Sequence, residues 1–188
     1  ELERIHSHYL WLGVAAHEGG FDTLFMYTWR DREVVMDLLE DISGNRVNYS
    51  ANILGGVKID LDDVKIEAIR KGMDYLEERT KYYLDVVTTD STFLGRTSGV
   101  GIMTHEQAET LGAVGPTGRA SGVRRDVRVD SPYAAYQAFP ARLITDERGD
   151  LQARFVVRLN ELMDAYRIIR DVIDHLPTGE LSVRMPRR

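Results

Sequence analysis

Residues 99–128, GVGIMTHEQAETLGAVGPTGRASGVRRDVR, decide how the chain is read. Short apolar runs alternate there with Gly, Thr and Ser at a density that neither a regular helix nor a regular strand tolerates. Four arginines, Arg119, Arg124, Arg125 and Arg128, fall within ten residues. This is the composition of a polar, partly buried connection whose path is set by its backbone. Strongly periodic helical patterns flank it on both sides, so the expected architecture is a helical frame around an irregular segment.

Downstream, Phe155, Val156, Leu159, Leu162, Met163, Tyr166, Ile169, Val172 and Ile173 repeat at helical spacing and predict a long helix over about 150–176, ended by Pro177 and Gly179. Upstream, Val64, Ile66, Ile69, Met73, Leu76, Tyr83, Leu84 and Val87 predict another over 61–88, opened by Asp60, Asp62 and Asp63, with Gly72 loosening it by about 1 kcal/mol relative to Ala. Val34, Val35, Leu38, Leu39 and Ile42 mark a helix over 31–43, capped near Asp31 and stopped by Ser43-Gly44-Asn45, while Phe21 to Trp29 reads as an aromatic connector. Leu2, Ile5, Tyr9, Leu12 and Ala16 mark a first helix over 1–18, which Gly19-Gly20 ends. Val47 to Val57 suits a strand or hairpin arm, and Thr89 to Gly95 a turn with a short second segment. Thr104 with Gln107 fits a capping box opening a short helix to Leu111, and Ser131-Pro132 should open another through Ala138. The fold class is therefore mainly α: a helical-bundle core of about four long helices with irregular loops and a small β element, in one domain over 1–188.

A chain of 188 residues, 43% hydrophobic and 29% charged, can bury a substantial core. Its net charge of −6 disfavours a nucleic-acid partner. No apolar run approaches the ~20 residues that cross a bilayer. With no cysteine, these residues supply no disulfide, thiolate-bound metal or Cys nucleophile. The helical start without an initiating Met, and the Pro- and Arg-containing tail over 182–188, read as cuts within a longer polypeptide.

No complete catalytic constellation can be built from the residues. His6 and His8, two apart on one helix, point away from each other and do not chelate one metal. Glu18, between an apolar helix and its Gly-Gly exit, is either a solvated helix-end acid or a partly desolvated proton-transfer group. Arg30 and Arg32, in the charge run 29–33, belong to a solvated face or turn inward. Gly115-Pro116-Thr117-Gly118-Arg119 lacks the Gly-Lys-Ser/Thr ending of a phosphate loop, and no Gly-x-Gly-x-x-Gly opens a βαβ unit. Arg119 with Ser121, and Asp126 with Arg128, are candidates for buried pairs that brace the segment.

Six stretches in fixed order resemble one family: ELERIHSHYLWLG at 1–13, RDREVVMDLLEDISGNRV at 30–47, GGV at 55–57, FLGRTSGVGIMTHEQAETLG at 93–112, GPTGRASGVRRDVRVDSPYAAY at 115–136 and RFVVRLNELMDAYRIIRDVIDHLP at 154–177. The family is that of the large subunits of respiratory NADH:quinone oxidoreductases (the 49 kDa-type subunit) and of membrane-bound, energy-converting nickel-iron hydrogenases. The resemblance implies a helical core in a peripheral arm, on the cytoplasmic side of a membrane arm, in an oxidoreductase complex that couples electron transfer to ion translocation. It implies as partners a small iron–sulfur subunit, other peripheral-arm subunits and membrane-arm subunits. The cofactors, a cluster in the small subunit with a quinone or a nickel-iron centre, would be held outside these residues. The hydrogenase form carries two Cys pairs, absent here, and the quinone-binding His and Tyr of the respiratory form would precede Glu1.

By position, Glu18 falls where the respiratory pattern has an acid partnering the quinone-binding His, a candidate for proton delivery. Asn48 falls where that pattern often has a His beside the terminal cluster, and Ile53 replaces an Arg, two departures that tilt toward the energy-converting hydrogenase branch or an unorthodox relative. Asn48 and Arg119 are thus the cluster-adjacent or cavity candidates. The alternative is a non-catalytic assembly scaffold between the iron–sulfur subunit and the membrane arm. Under either reading the 188 residues alone should be inactive and should tend to self-associate through uncovered apolar surface.

Overall fold

A computed structural model describes residues 1–183. The tail expected over 182–188 lies, from residue 184 on, outside the described residues. In chain order the elements are α1 (Leu2–Glu18), α2 (Asp22–Ser43), β1 (Asn52–Ile53), β2 (Gly56–Val57), α3 (Asp63–Thr89), α4 (Ser91–Thr97), α5 (His105–Thr110), α6 (Gly115–Arg119), α7 (Val127–Asp130) and α8 (Leu151–Asp174). The long helices close a ring: α1 packs on α2, α2 on α3, α3 on α8, and α8 back on α1. The mainly α reading holds, and so does the small β element, an antiparallel pair with Asn52 opposite Val57.

The core is what the periodicity requires. Ile5, Tyr9, Leu12 and Ala16 of α1 meet Val35, Leu38 and Leu39 of α2, Ile69, Met73 and Leu76 of α3, and Phe155, Leu159, Leu162 and Ile169 of α8. Burying each larger side chain contributes about 1.5–3 kcal/mol, which offsets the entropy of ordering the helices. One polar knot lies inside this core, where the Tyr9 hydroxyl is 2.9 Å from Thr80 Oγ1 and Thr80 is 2.8 Å from the Tyr166 hydroxyl. Each hydroxyl is therefore satisfied although all three residues are fully buried.

The helix boundaries follow from local chemistry. At the end of α1, Gly20 adopts φ +81°, while its N–H bonds the His17 carbonyl and the Phe21 N–H bonds that of Ala16. This closure turns the chain at once into α2. Consequently 21–29 is not a connector; Asp22 to Trp29 is the first part of α2, and Asp31 lies inside that helix instead of capping it. Asp90 ends α3 and, with its side chain accepting from Phe93 N, caps α4. The capping box of Thr104 and Gln107 is present. The helix expected from Ser131-Pro132 to Ala138 is instead a series of turns, because Ala134 takes φ +49° and leaves the helical region. The short helix there, α7, comes earlier and is capped by Asp126.

Gly13 marks the closest approach of α1 to α2. A Cβ at this position would lie 2.6 Å from Trp29 Nε1 and 2.7 Å from Thr28 Oγ1. Gly13→Ala would gain about 1 kcal/mol in helix propensity and lose roughly 1–3 kcal/mol through overpacking. The clash wins, and thermal melting of the variant is expected to fall; an unchanged or raised melting temperature would show that α1 and α2 can separate at no cost.

Candidate functional site

The irregular segment is held by the ends of other elements. Asp150 caps α8 through Ala153 N at 2.7 Å and with its other oxygen accepts from Gly99 N at 2.9 Å. Ser121 Oγ donates to the Met103 carbonyl at 2.8 Å, Met103 N to the Gly149 carbonyl, and Gly149 N to the Ala120 carbonyl. These bonds deliver Arg119, Asp126 and Arg128 to one flank of α1 and α8.

There they form a buried ionic chain. Glu161 of α8 is 0% exposed. Its Oε1 accepts from Arg119 Nε at 2.7 Å and its Oε2 from His8 Nε2 at 2.8 Å, with Arg4 Nη1 3.5 Å from Oε2. Arg119, 4% exposed, also donates from Nη1 to the Arg125 carbonyl at 3.0 Å. Asp126 Oδ2 is 3.6 Å from Arg119 Nη1 and accepts from Arg128 Nη2 at 2.7 Å, while its Oδ1 accepts from Arg128 N and Nε, both at 3.0 Å. Arg128 Nη1 then donates to Glu1 Oε1 at 3.0 Å, which also accepts from the Tyr136 hydroxyl. The expected Asp126–Arg128 pair is therefore present. Arg119 pairs with Glu161 and Asp126 and not with Ser121, whose hydroxyl is committed to Met103.

Burial alone would raise the Glu161 carboxyl, but the His8 and Arg119 hydrogen bonds outweigh it and hold Glu161 below its ordinary value. Burial holds His8 below its ordinary 6.5, outweighing the pull of Glu161. At neutral pH the centre around Glu161 thus holds a carboxylate, a neutral imidazole donating to it, and the guanidinium groups of Arg119 and Arg4. Burial also pushes Arg158 down to about 10, and its guanidinium lies 3.6 Å over the Trp11 ring. Alongside the chain opens a pocket of about 400 Å³, lined by Arg4, Arg119 and Arg125 together with Val114, Val123 and Val127.

A second buried carboxylate, Asp31, is 0% exposed between α2 and α3. It accepts from Arg30 Nε at 2.8 Å, Arg79 Nε at 2.8 Å, the Tyr75 hydroxyl at 2.9 Å and the Tyr83 hydroxyl. Burial would raise Asp31, yet these four donors keep it below the usual carboxylate range. Arg30 therefore reaches back onto Asp31, and Arg32 Nη2 lies 2.5 Å from His6 Nε2.

Both centres carry a pH consequence. His8 is held low when folded, so the unfolded chain takes up the proton first as pH drops below about 6.5, and stability declines from there. His6, lowered by burial and by Arg32, adds to the same window. Glu161 and Asp31, depressed from 4.5 and 3.8, contribute stability that is present above those values and lost as pH falls through their lower folded values. Denaturant midpoints against pH should therefore fall in two stages, with His8→Gln shrinking the first. A flat profile from pH 7 to 5 in the parent chain would contradict this.

Of the proton-transfer and cavity candidates Glu18, Asn48 and Arg119, only Arg119 enters this constellation, beside the expected Asp126–Arg128 pair. Glu18 is exposed at the end of α1, without the desolvation considered for it. Asn48 is exposed and donates its backbone N–H to Asn45 Oδ1 at 2.8 Å. Gly115 to Arg119 is the helix α6 and not a phosphate loop. His8 is buried against Glu161 while His6 faces Arg32, so the two histidines do diverge. Sequence reasoning missed Glu161, His8 and Asp31. The available signal was spacing: Leu24, Thr28, Asp31, Val35 and Leu38 follow one another by four and three residues along a single stripe.

The residues present do not fit a nickel-iron centre or an iron–sulfur cluster. Such groups take cysteine thiolates, of which the chain has none. Among the described residues no three His, Asp or Glu side chains converge as metal ligands, and none of the described helices is long and apolar enough to cross a membrane.

Residues 18–188 match the family described as the respiratory-chain NADH dehydrogenase 49 kDa subunit. The D 2 subunit of the NADH-quinone oxidoreductase of Rhizobium etli is 39% identical over 186 residues, covering 99% of this chain and 46% of that protein. The membrane-bound hydrogenase subunit alpha of Pyrococcus furiosus is also 39% identical, over 189 residues, covering 97% of this chain and 44% of that one. Among solved structures, a chain of the membrane-bound sulfane sulfur reductase, an archaeal respiratory membrane complex, superposes with a TM-score of 0.90 at 30% identity, covering 98% of this chain and 50% of the other. The chain spans about half the length of the curated relatives it matches.

Proposed function

The chain belongs to the 49 kDa subunit family of the respiratory-chain NADH dehydrogenase, and from that premise we propose that it is the helical core of a large subunit in a membrane-associated redox complex coupling electron transfer to ion translocation. The observation that carries this reading is the even likeness to a quinone-linked and a hydrogenase subunit, 39% each over nearly the whole chain. What such subunits share is the frame, and the frame is what these residues build. In this reading the ionic chain from His8 to Arg128 seats the irregular segment, and the electron acceptor is chosen by residues elsewhere in the complex.

Exposure supports an assignment of partner surfaces. Asn48 and the β1–β2 hairpin, with Leu54 84% exposed at its tip, face the small iron–sulfur subunit. Glu18 is the proton-transfer candidate, and its desolvation comes from a partner covering the end of α1. The complex binds peripherally to the cytoplasmic face of a membrane through its membrane-arm subunits. Asn48 and Ile53 favour the hydrogenase branch or a sulfur-reducing relative over quinone reduction.

The test uses the full-length subunit purified with its partners, assayed for nickel, hydrogen uptake, and quinone or sulfane-sulfur reduction. Hydrogen uptake with nickel, or sulfur reduction without it, supports this assignment. Quinone reduction retains the redox reading and overturns the branch. An intact complex with none of these activities favours the scaffold. The 188 residues alone are expected to be inert, and hydrogen or NADH oxidation by them would overturn that expectation.

A further inference from the structure

The pocket beside the ionic chain is bordered by three guanidinium groups, of which Arg125 is unpaired among the described residues and Arg119 keeps one nitrogen free of hydrogen bonds. We propose that it is a binding site for a small organic carboxylate with an apolar body, a role separate from the redox reading and independent of it. Its volume, about 400 Å³, is that of a small-molecule site. Of its acids, Asp126 is fully committed and Asp130 lies exposed at the edge, accepting one backbone N–H. Asp126 accepts from Arg128 with both oxygens, and Asp130 Oδ2 accepts from Asp126 N at 3.1 Å. Its cations are committed only in part. Arg119 is 4% exposed and uses Nε for Glu161 and Nη1 for the Arg125 carbonyl, while Nη2 enters no hydrogen bond among the described residues. Arg4, 3.3 Å from Glu1 Oε2 and 3.5 Å from Glu161 Oε2, adds positive charge to the wall, while its Nε is buried away from the pocket. Arg125 is exposed, and its guanidinium pairs with no carboxylate among the described residues.

Uncommitted guanidinium donors in a chain of net charge −6 select an anion at this place. The rest of the wall selects its body. Val123 is buried in the pocket, and Val114 and Val127 are 83% and 60% exposed at it. Such apolar surface gains from covering an aliphatic or aromatic group. A hydrated ion such as inorganic phosphate would meet the cations and forgo the valines, whereas a neutral alcohol would do the reverse.

The experiment titrates the whole chain with octanoate, octanol and inorganic phosphate, following the valine methyl resonances and the heat of binding. Octanoate is expected to shift Val123 and Val127 saturably, with octanol and phosphate each about tenfold weaker or more, and added salt should weaken it. Arg125→Gln should weaken octanoate several-fold, and Val114→Trp should block it; both positions are exposed, so the fold is kept. Octanol matching octanoate, phosphate matching it, no saturation by about 10 mM, or indifference to both variants would each overturn the proposal. None of these readouts depends on the redox complex, so failure here leaves the family reading untouched.

Discussion

Glu161→Ala is expected to cost about 3–5 kcal/mol of folding stability, because it removes the carboxylate that accepts from buried Arg119 at 2.7 Å and from buried His8 at 2.8 Å, leaving Arg119 only the more distant Asp126 at 3.6 Å. The loss is larger than the net worth of the two hydrogen bonds. A guanidinium with 4% exposure regains little hydration when its nearer partner is deleted, so most of its desolvation cost stands. For a domain of this size a loss of that order lowers the melting temperature by roughly 6–20 °C. Glu161→Gln should fall between, since an amide oxygen still accepts from Arg119 but brings no charge. Backbone amides over 119–130 should lose exchange protection before those of α3. A Glu161→Ala variant that melts within about 1 kcal/mol of the parent would show that the ionic chain contributes only shape.

Asp31→Ala is the second large effect, also about 3–5 kcal/mol. Four donors converge on this carboxylate, and three of them, Tyr75, Arg79 and Tyr83, belong to the helix against which α2 packs. Without it they face one another across a small void. Asp31→Asn should recover only part of the loss, since an amide cannot accept from four donors and presents two hydrogens of its own. Arg46 is the instructive contrast. It touches Glu33, Asp37 and Glu40 on the outer face of α2, all of them exposed, and Arg46→Ala should leave melting nearly unchanged. Equal losses at Asp31 and Arg46 would mean that burial does not set the value of these pairs.

The long helices were legible because burial leaves a period, and α1, α3 and α8 lie close to where Leu2, Val64 and Leu151 begin their patterns. The start of α2 was not. Phe25, Tyr27 and Trp29 have indifferent helix propensity, and Gly19-Gly20 looks like the edge of a loop, yet packing of Leu24 and Thr28 into the bundle overrides both. Asp31 was hidden by its neighbours, since a run of Arg, Asp, Arg and Glu has the same composition whether it is solvated or turned inward. Glu161 was hidden by the breadth of its helix. Gln152, Arg158, Glu161 and Asp164 are buried alongside the apolar stripe of α8, and only the three-dimensional partners reveal why a carboxylate belongs there. Within the irregular segment, capping boxes and bracing pairs could be read locally, but the identity of Arg119's partner, 42 residues away, could not.

That distance has a kinetic side. His8 and Glu161 are 153 residues apart, and Glu1 and Arg128 are 127 apart. Contacts that close loops of this length come after the local helices, because chain entropy must be given up before the contact repays it. The ionic chain therefore belongs to the final stage of folding, once α8 has docked on α1. Interactions absent from the transition state act on the way out, so Glu161→Ala should accelerate unfolding and leave the refolding rate nearly unchanged. The buried charges then work as a latch: they set how long the segment stays seated once it has arrived.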